Sequence, residues 1–495
     1  MPTVTYGPWT GVNLDAEPER LGGDTLSAAH NVRLREGGVE PCRGPVAYAA
    51  PAPNAPDTVM WVPPSYWLAM SGTSVYAWNG SVWTDITQSG VTYGAVRWTG
   101  GILGGVPVVN GGDRAPQYWP GPSTSNRLQD IPAWPANTTA AVLRPYRNFL
   151  FAADVTASGS RNPHLLKWSH AAAPGALPTS WDPNDPATDA NEVELSDVGS
   201  GAIKDMLPLG PVLAVYKERS VWTARLTEVP GIPFALDRVL EGVGVPAPDC
   251  AAPVANGRAH VFFTGDDWLL WDGTSVRSLV EGRARRWLRS NLDTARFGDV
   301  RVAVLAAQAE AVLSFRATDG RLLMLAWHWP GDTLAVREYG DYVDVRAGYA
   351  PVGALPSWDA FVGTWDEAKQ PWNRGTEPLH LVGLRPDGQL EAVEAGEYLP
   401  GRAARAGLRT RWPRVLVREM RPDLDGTADV RVGVMESAGQ EPAWEPPVAL
   451  DGAEPGAKVD VAVSGRFLAF EVAGSGGAFR LGSVGFVVEP CGSYP

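Results

Sequence analysis

The sequence predicts an all-β protein: a β-propeller of about six blades, a C-terminal β-sandwich-like platform domain and an extended N-terminal arm. The stretch His260–Leu279, HVFFTGDDWLLWDGTSVRSL, has the pattern of three strands separated by tight turns at Gly265-Asp266 and Asp272-Gly273. Two-residue turns of this kind prefer Asp-Gly or Asn-Gly because their central residues need positive φ. The same pattern occurs at residues 67–86, WLAMSGTSVYAWNGSVWTDI. A meander that recurs far apart in one chain is typical of propeller blades.

The composition agrees with many small sheets. The 495 residues include 55 Gly, 44 Pro and 21 Trp, which suits short strands joined by turns, each sheet packed around a stiff aromatic side chain. The formal net charge of −13 disfavours broad binding to nucleic acid, which needs Lys and Arg against phosphates. Three widely spaced cysteines, Cys42, Cys250 and Cys491, predict neither a disulfide framework nor a zinc site, and we expect them to be small buried apolar groups.

The N-terminal residues and the hydropathy of the sequence predict where the protein is located. Residues 1–21 have no basic segment followed by an apolar one, so we expect no secretory signal peptide. No apolar run approaches the ~18 residues that a membrane helix needs. We therefore expect a soluble protein made in the cytoplasm, without membrane insertion.

Residues 1–50 are interpreted as an arm that packs on another part of the molecule. Five prolines and two Gly-Gly pairs interrupt any long element. The pattern predicts a short helix near Thr25–Asn31 with Thr25 as its N-cap, then strands at Val32–Arg35 and Val39–Pro41.

Residues 51–400 are interpreted as the propeller. Hairpins are expected at residues 203–226 and at the turns Asp319-Gly320 and Pro386-Asp387-Gly388, and a loop-rich insertion at residues 156–200. Strands are also expected around LPSWDAFVGTWDE, at residues 355–367. The best helix candidate is Val280–Leu292, whose apolar residues fall on one face: Ala284, Trp287, Leu288 and Leu292.

Residues 401–495 are interpreted as a separate β-sandwich-like domain. Their strands are longer and alternate with period two. Val459, Val461 and Val463 point one way and Asp460 and Ala462 the other, as in a sheet with one buried face.

Several segments, in order along nearly the whole chain, carry a resemblance to a known family. They are GVNLDAEPERL…AAHNVRLREGGVEPCRGP, VPVVNGGDRAPQYW, LRPYRNFLFAADV, IKDMLPLGPVLAVYKERSVWTARL, LEGVGVPAPDCAAPVANGRAHVFFTGDDWLLWDGTSVRSLVEGRARRWL and RFLAFEVAG…FRLGSVGFVVEP. In pattern and order the chain resembles the tail-hub or nozzle proteins of short-tailed bacteriophages, also called packaged-DNA stabilisation proteins. It departs from that pattern in the acidic loop near Asp182–Asp197 and in much of residues 328–407.

The resemblance implies a structural virion protein at the distal end of a phage tail, assembled in the host cytoplasm. Such a protein forms a homo-hexameric ring, docks on an adaptor or portal-side protein, and holds tail fibres or tailspikes. Its propeller sits outward, while the arm and the C-terminal domain build a platform around the channel. Double-stranded DNA is retained and then passes through without sequence-specific binding. An acidic lumen would repel phosphate and let DNA slide.

Four groups of residues are weighed as catalytic, metal-binding or binding candidates. The six histidines, His30, His164, His170, His260, His328 and His380, have no metal-ligand spacing, and His328, between two tryptophans, is expected to be a packed edge residue. The carboxylates Asp266, Asp267 and Asp272 are either a glycosidase pair or turn residues that serve local backbone geometry. The oxygen-rich loop is either a Ca²⁺ site or a solvated loop, and comprises Asp182, Asn184, Asp185, Asp189, Asn191, Glu192 and Glu194. The basic run Arg283–Arg289 is either a contact for an acidic partner or DNA, or a solvated helix face.

Two classes of function remain open. The first is a structural, ring-forming virion protein that is not an enzyme and has no catalytic residues, cofactor or metal. The second is a carbohydrate-binding or glycan-hydrolysing propeller, motivated by the Trp-rich blades and the turn carboxylates. The sequence has no Gly-x-Ser-x-Gly, Walker or dinucleotide-binding motif.

Overall fold

The computed structural model describes residues 1–94, 97–229, 232–352 and 379–491. In these ranges β-strands dominate, the one α-helix is α1, Arg285–Asn291, and three short 3-10 helices lie at Pro18–Arg20, Thr294–Asp299 and Ala306–Gln308. The prediction of an all-β protein is confirmed. No described helix is long and apolar enough to cross a membrane.

Seven short strands precede the first blade: β1 (Thr3–Tyr6), β2 (Gly11–Val12), β3 (Thr25–Leu26), β4 (Ala28–His30), β5 (Val32–Arg35), β6 (Gly38–Pro41) and β7 (Val46–Ala47). The strands predicted at Val32–Arg35 and Val39–Pro41 are confirmed. The predicted helix near Thr25–Asn31 is wrong. There, β4 pairs with strands far away in sequence, and tertiary pairing of this kind overrides local helix signals.

The propeller strands form consecutive four-stranded meanders. Blade 1 contains β8 (Thr58–Val62), β9 (Tyr66–Met70), β10 (Val75–Trp78) and β11 (Trp83–Asp85); blade 2 contains β12 (Thr99–Leu103), β13 (Val106–Asn110), β14 (Gln117–Tyr118) and β15 (Gln129–Asp130). Blade 3 contains β16 (Thr138–Tyr146), β17 (Phe149–Ala157), β18 (Ser160–Trp168) and β19 (Asn191–Glu194); blade 4 contains β20 (Ile203–Leu209), β21 (Val212–Lys217), β22 (Ser220–Val229) and β23 (Ile232–Glu241). Blade 5 contains β24 (Ala251–Val254), β25 (Ala259–Phe263), β26 (Trp268–Trp271) and β27 (Val276–Ser278); blade 6 contains β28 (Arg301–Leu305), β29 (Glu310–Arg316), β30 (Leu322–His328) and β31 (Thr333–Arg337). Blade 7 contains β32 (Asp344–Gly348), β33 (His380–Leu384) and β34 (Leu390–Val393), completed by the N-terminal β7.

These seven meanders compare with about six blades expected, and six of them are separate four-stranded sheets. The other one, blade 6, is continuous with the C-terminal sheet because its outer strand β31 pairs with β4. The first strand of each blade contacts the first strand of a neighbouring blade, and β32 contacts β8, so these strands surround the axis. The insertion predicted at residues 156–200 is shorter than expected, since residues 160–168 belong to β18. The pattern at 355–367 lies outside the described residues.

The repeated sequence pattern corresponds to a repeated register. In blade 1 Trp67 pairs with Trp78, and in blade 5 His260 pairs with Trp271 at the equivalent positions. The turns differ from the expected two-residue type, because only the glycines, Gly80 at φ 96° and Gly273 at φ 92°, have positive φ. The preceding Asn or Asp instead stabilises a four-residue turn through its side-chain oxygen, which accepts two backbone N–H hydrogen bonds.

Ring closure between blades 7 and 1 depends on a glycine. The indole Nε1 of Trp67 donates to the carbonyl of Tyr349 at 2.8 Å, and a side chain at Gly348 would overlap the indole carbons. The Trp67 indole cannot shift easily to make room, because it is fully buried and packs on Trp61.

We expect Gly348→Val to destabilise the protein by about 1–3 kcal/mol, the usual range for overpacking a core. The measurement is the free energy of unfolding in urea. Gly94→Val makes no comparable close contact, and Gly94 like Gly348 has no positive φ, so this control separates steric overlap from the loss of a glycine in general. Equal stability of the Gly348→Val variant and wild type would contradict the packing described here.

The C-terminal strands are β35 (Arg402–Arg409), β36 (Val415–Met435), β37 (Ala443–Trp444), β38 (Val448–Asp451), β39 (Val459–Gly465), β40 (Phe467–Ala473) and β41 (Phe479–Pro490). The 21-residue β36 pairs with β39 and β41 along its first part and with β37, β38 and β40 along its second. The N-terminal β1 and β6 pair with β41, and β4 bridges β31 and β35. One apolar core joins these strands to blades 5 and 6. The division into a separate sandwich and an arm stays a prediction.

Candidate functional site

The turn carboxylates and the helix arginines, two of the candidate groups, contact each other in blade 5. Arg285 Nη2 lies 3.3 Å from Asp267 Oδ2, and Arg289 forms an ion pair with Asp266. Asp267 also accepts a 2.6 Å hydrogen bond from the Ser278 hydroxyl, and burial raises the pKa of its carboxyl. These side chains therefore attach α1 to the turn between β25 and β26.

The third carboxylate, Asp272, stabilises its own turn. Its Oδ1 accepts backbone hydrogen bonds from Thr274 at 2.9 Å and Ser275 at 2.7 Å, and these bonds lower the pKa of the carboxyl. Asn79 makes the same two bonds in blade 1. Because the Asn79 amide makes the same bonds in the equivalent turn, the Asp272 carboxylate is explained by its structural role in stabilising the turn.

We expect no glycan hydrolysis that depends on these carboxylates. The measurement is release of reducing sugars from bacterial surface polysaccharides by wild type and by the triple variant Asp266→Ala, Asp267→Ala, Asp272→Ala, each checked for folding. Hydrolysis by wild type that the triple variant loses would revive the enzyme hypothesis.

The oxygen-rich loop follows β18 and reaches β19 at the outer edge of blade 3. Trp181 anchors it in the core, while Asp182 Oδ1 accepts from the Asn184 backbone N–H at 2.9 Å and Asp185 Oδ1 from the Ala187 N–H at 3.0 Å. Glu192 pairs with Lys167 at 2.7 Å, and Asp189 lies 3.4 Å from His170. Within the described ranges, no group of three or more His, Cys, Asp or Glu side chains is arranged to hold a metal ion.

Among the histidines, His260 is fully buried between blades 4 and 5. Its Nδ1 lies 2.7 Å from the Tyr216 hydroxyl and its Nε2 lies 2.8 Å from the carbonyl oxygen of Pro208. Because the carbonyl can only accept, Nε2 carries the proton and Nδ1 accepts from the hydroxyl. Burial lowers the pKa of His260 to about 4, so the ring is neutral at pH 7.

The other histidines are dispersed. His30 lies 3.6 Å from Glu338, and His328 is a half-buried residue at the end of β30. Cys42 and Cys250 are buried, as expected for small apolar groups, whereas Cys491 is only half-buried; all three are free thiols.

A charged network, which sequence reasoning missed, fills the centre of the propeller. Asp249, just before β24 of blade 5, lies 2.7 Å from Arg144 of blade 3, 2.8 Å from Arg346 of blade 7 and 3.7 Å from Arg97, just before blade 2. None of these three blades is next to blade 5 in the ring, so the contacts place Asp249 on the propeller axis. Asp205 of blade 4 pairs with Arg144 at 2.8 Å and accepts from the Asp249 backbone N–H at 2.7 Å.

The network continues through blades 6, 7 and 1 around the Asp344 carboxylate. Asp344 accepts from Arg301 of blade 6 at 2.5 Å, from Arg346 of its own strand at 2.9 Å and from the Val59 backbone N–H of blade 1 at 3.0 Å. Four arginines and three aspartates are thus shared among all the blades, and this central network crosses the propeller axis.

The electrostatics keep the network charged at neutral pH. Burial alone would raise the pKa of Asp249, but the guanidinium groups of Arg346 and Arg144 more than reverse this and hold it well below its usual value. The same balance, with Arg346 and Arg301, lowers the pKa of Asp344. Burial lowers the pKa of Arg97 to about 10. Each of these groups stays charged at pH 7, and their ion pairs tie the blades together.

A sequence signal for this network exists. Each member is a charged residue in or just before the apolar first strand of a blade: AVRWTG, AVLRPY, IKDMLPL, APDCAA, DVRVAV and VDVRAG. An alignment of the first strands of the blades, in place of their turns, reveals these charged residues.

A second feature that sequence reasoning missed is a cavity of about 460 Å³ where the N-terminal strands meet the C-terminal ones. We call it the seam cavity. Its charged lining consists of four arginines and two carboxylates: Arg33, Arg35, Arg43, Arg480, Glu40 and Asp425. Beneath it, Arg33 and Arg35 reach the buried Glu310 of blade 6, each at 3.2 Å. Because arginines outnumber carboxylates in its lining, the cavity is a basic recess beside the propeller.

No protein-family model matches this chain. No curated protein matches it either. Among solved structures, it is similar to YCF48 bound to a D1 peptide, at 11% identity and a TM-score of 0.39, covering 71% of this chain and 97% of that one. It is similar to the WD40 β-propeller domain of Doa1 at 10% identity and a TM-score of 0.40, covering 72% and 97%. It is also similar to an ancestral GH74 enzyme at 11% identity and a TM-score of 0.41, covering 75% of this chain and 51% of that one. At these scores the similarities carry no information on what this chain binds or does.

Proposed function

We propose that this chain is the structural subunit of a phage tail hub or nozzle, which forms a sixfold ring, docks on the adaptor or portal side and holds fibres or spikes. The observation that carries the proposal is the ordered resemblance of the segments quoted above, which extends over nearly the whole chain. Two structural features support it.

The first supporting feature is the filled axis. Propeller enzymes need an accessible site with titratable groups, whereas here the described inner strands meet in paired, permanently charged side chains around Asp249. A propeller whose blades are joined by ion pairs at its centre is expected to be rigid, which suits a structural subunit. In the proposed ring the genome runs through the lumen between subunits and not through the propeller.

The second supporting feature is the fusion of the chain ends with blade 6. Through β4, β35 and β41, the N-terminal strands β1, β4, β5 and β6 and the last strands form one sheet with that blade. A body of this kind transmits force between a docking surface and an outward propeller without a flexible linker, as a tail component must.

The test is mass photometry of the purified protein together with negative-stain microscopy of particles from its source, using a gold label on an N-terminal tag. We expect sixfold rings, or label at the distal end of a short tail. A monomer at all concentrations that is also absent from particles would overturn the proposal.

A further inference from the structure

We propose that the seam cavity receives the acidic loop of a neighbouring copy of this chain, residues 182–185 at the outer edge of blade 3, and that this head-to-tail contact builds the ring. The inference rests on the proposed function and adds to it the surfaces, their charges and their partner.

The cavity offers cationic groups that the chain itself leaves incompletely paired. Arg43 is exposed and stacks over the Tyr398 ring at 4.6 Å, and it pairs with no carboxylate among the residues that the structure describes. Its guanidinium donates to the Gly396 carbonyl and the Tyr398 hydroxyl, each at 3.3 Å, which leaves further N–H groups of Arg43 available. Of the two lining carboxylates, Glu40 is paired with Arg480 at 2.8 Å, and Asp425 is exposed. An incoming carboxylate could therefore bind the remaining donors of Arg43, since guanidinium groups bind carboxylates well.

The loop offers matching anionic groups on a preformed support. Asp182 is exposed and Asp185 half-buried, and neither forms an ion pair with a described basic residue. The buried Trp181 and the two side-chain-to-backbone turns hold the loop in shape before any contact. Little conformational entropy would be lost on docking, which favours affinity.

The two surfaces lie on different sides of the molecule. The loop meets β19, the outermost strand of blade 3. The cavity contains residues of β5, a strand that contacts β31, the outermost strand of blade 6. Blade 3 is three places from blade 6 around the propeller, so one copy can use both surfaces at the same time. Two different, complementary surfaces make a heterologous contact, which closes into a ring when the rotation between copies is a whole fraction of a turn.

The experiment removes charge from either surface while keeping the fold. Asp182→Asn with Asp185→Asn keeps both side-chain oxygens that accept the turn hydrogen bonds. Arg43→Glu reverses the least paired arginine of the cavity. Arg258→Glu is the matched control, because it makes the same charge change at another exposed arginine without a carboxylate partner among the described residues. Circular dichroism verifies folding of each variant, and mass photometry over a concentration series gives the ring fraction.

We expect the loop variant and Arg43→Glu each to weaken ring formation by about tenfold or more, and Arg258→Glu to leave it unchanged. Mixing Asn184→Cys protein with Arg43→Cys protein under oxidation should give a disulfide-linked dimer that neither variant forms alone. Rings that form normally in the loop and Arg43 variants, or no cross-link in the mixture, would overturn this inference and leave the proposed function standing. Absence of rings in wild type, both in solution and on particles, would overturn both.

Discussion

Asp249→Asn should lower the free energy of unfolding by about 3–5 kcal/mol, the range found when one partner of a buried ion pair is removed. The variant keeps the size of the side chain but leaves Arg97, Arg144 and Arg346 converging on a neutral amide, whose NH₂ group competes with their own N–H donors. Because these arginines come from three blades, the loss should affect the whole propeller. The measurement is urea denaturation followed by tryptophan fluorescence and by circular dichroism.

A matched control comes from the turn of blade 5. Asp272→Asn makes the same chemical change at an exposed position, and blade 1 already carries Asn79 with the same backbone hydrogen bonds. We expect this control to stay within about 0.5 kcal/mol of wild type. If Asp249→Asn were as stable as Asp272→Asn, the central network would not be what joins the blades.

The second large effect is a dependence of stability on pH that originates at His260. The unfolded chain takes up a proton on this side chain near pH 6.5, whereas in the folded protein the pKa is about 4. A group with a depressed pKa in the folded state binds more protons when unfolded, so stability falls as the pH falls through this interval. At 1.36 kcal/mol per pKa unit, the contribution lost between pH 7 and pH 4 is about 3 kcal/mol.

His260→Gln should remove this part of the pH dependence. The glutamine can accept from the Tyr216 hydroxyl and donate to the Pro208 carbonyl, the two bonds that the imidazole makes, without taking up a proton. The measurement is the free energy of unfolding at a series of pH values from 7.5 to 4. Parallel curves for wild type and His260→Gln would refute the assignment.

The features that sequence reasoning predicted are those with a local signal. The pairing of Trp67 with Trp78 and of His260 with Trp271 followed from one repeated pattern, because strand periodicity and turn residues are short-range properties. Of the predicted helix face, Ala284, Leu288 and Leu292 are buried and Trp287 is half-buried. The helix itself, Arg285–Asn291, is shorter than the predicted Val280–Leu292.

The features that it missed depend on contacts between distant residues. Asp249 and Arg346 are far apart in sequence, and only closure of the ring brings their charges within 2.8 Å. For the same reason, the local pattern near Thr25 predicted a helix, whereas pairing of Ala28 with Ala404 makes the segment a strand. The basic character of the seam cavity likewise needs Arg43 and Arg480, from opposite ends of the chain, to meet.

The pairing of β7 with β34 has a consequence for synthesis. Val46 and Ala47 are made early, but they complete the last blade opposite Ala392 and Glu391, and β1 and β6 wait for β41. Contacts this distant make folding slow and leave nascent chains with open sheet edges. A polypeptide that a ribosome releases prematurely therefore lacks both the closed circle and the C-terminal half of the seam cavity. The order of the strands therefore makes the full length of the chain a condition for a closed propeller.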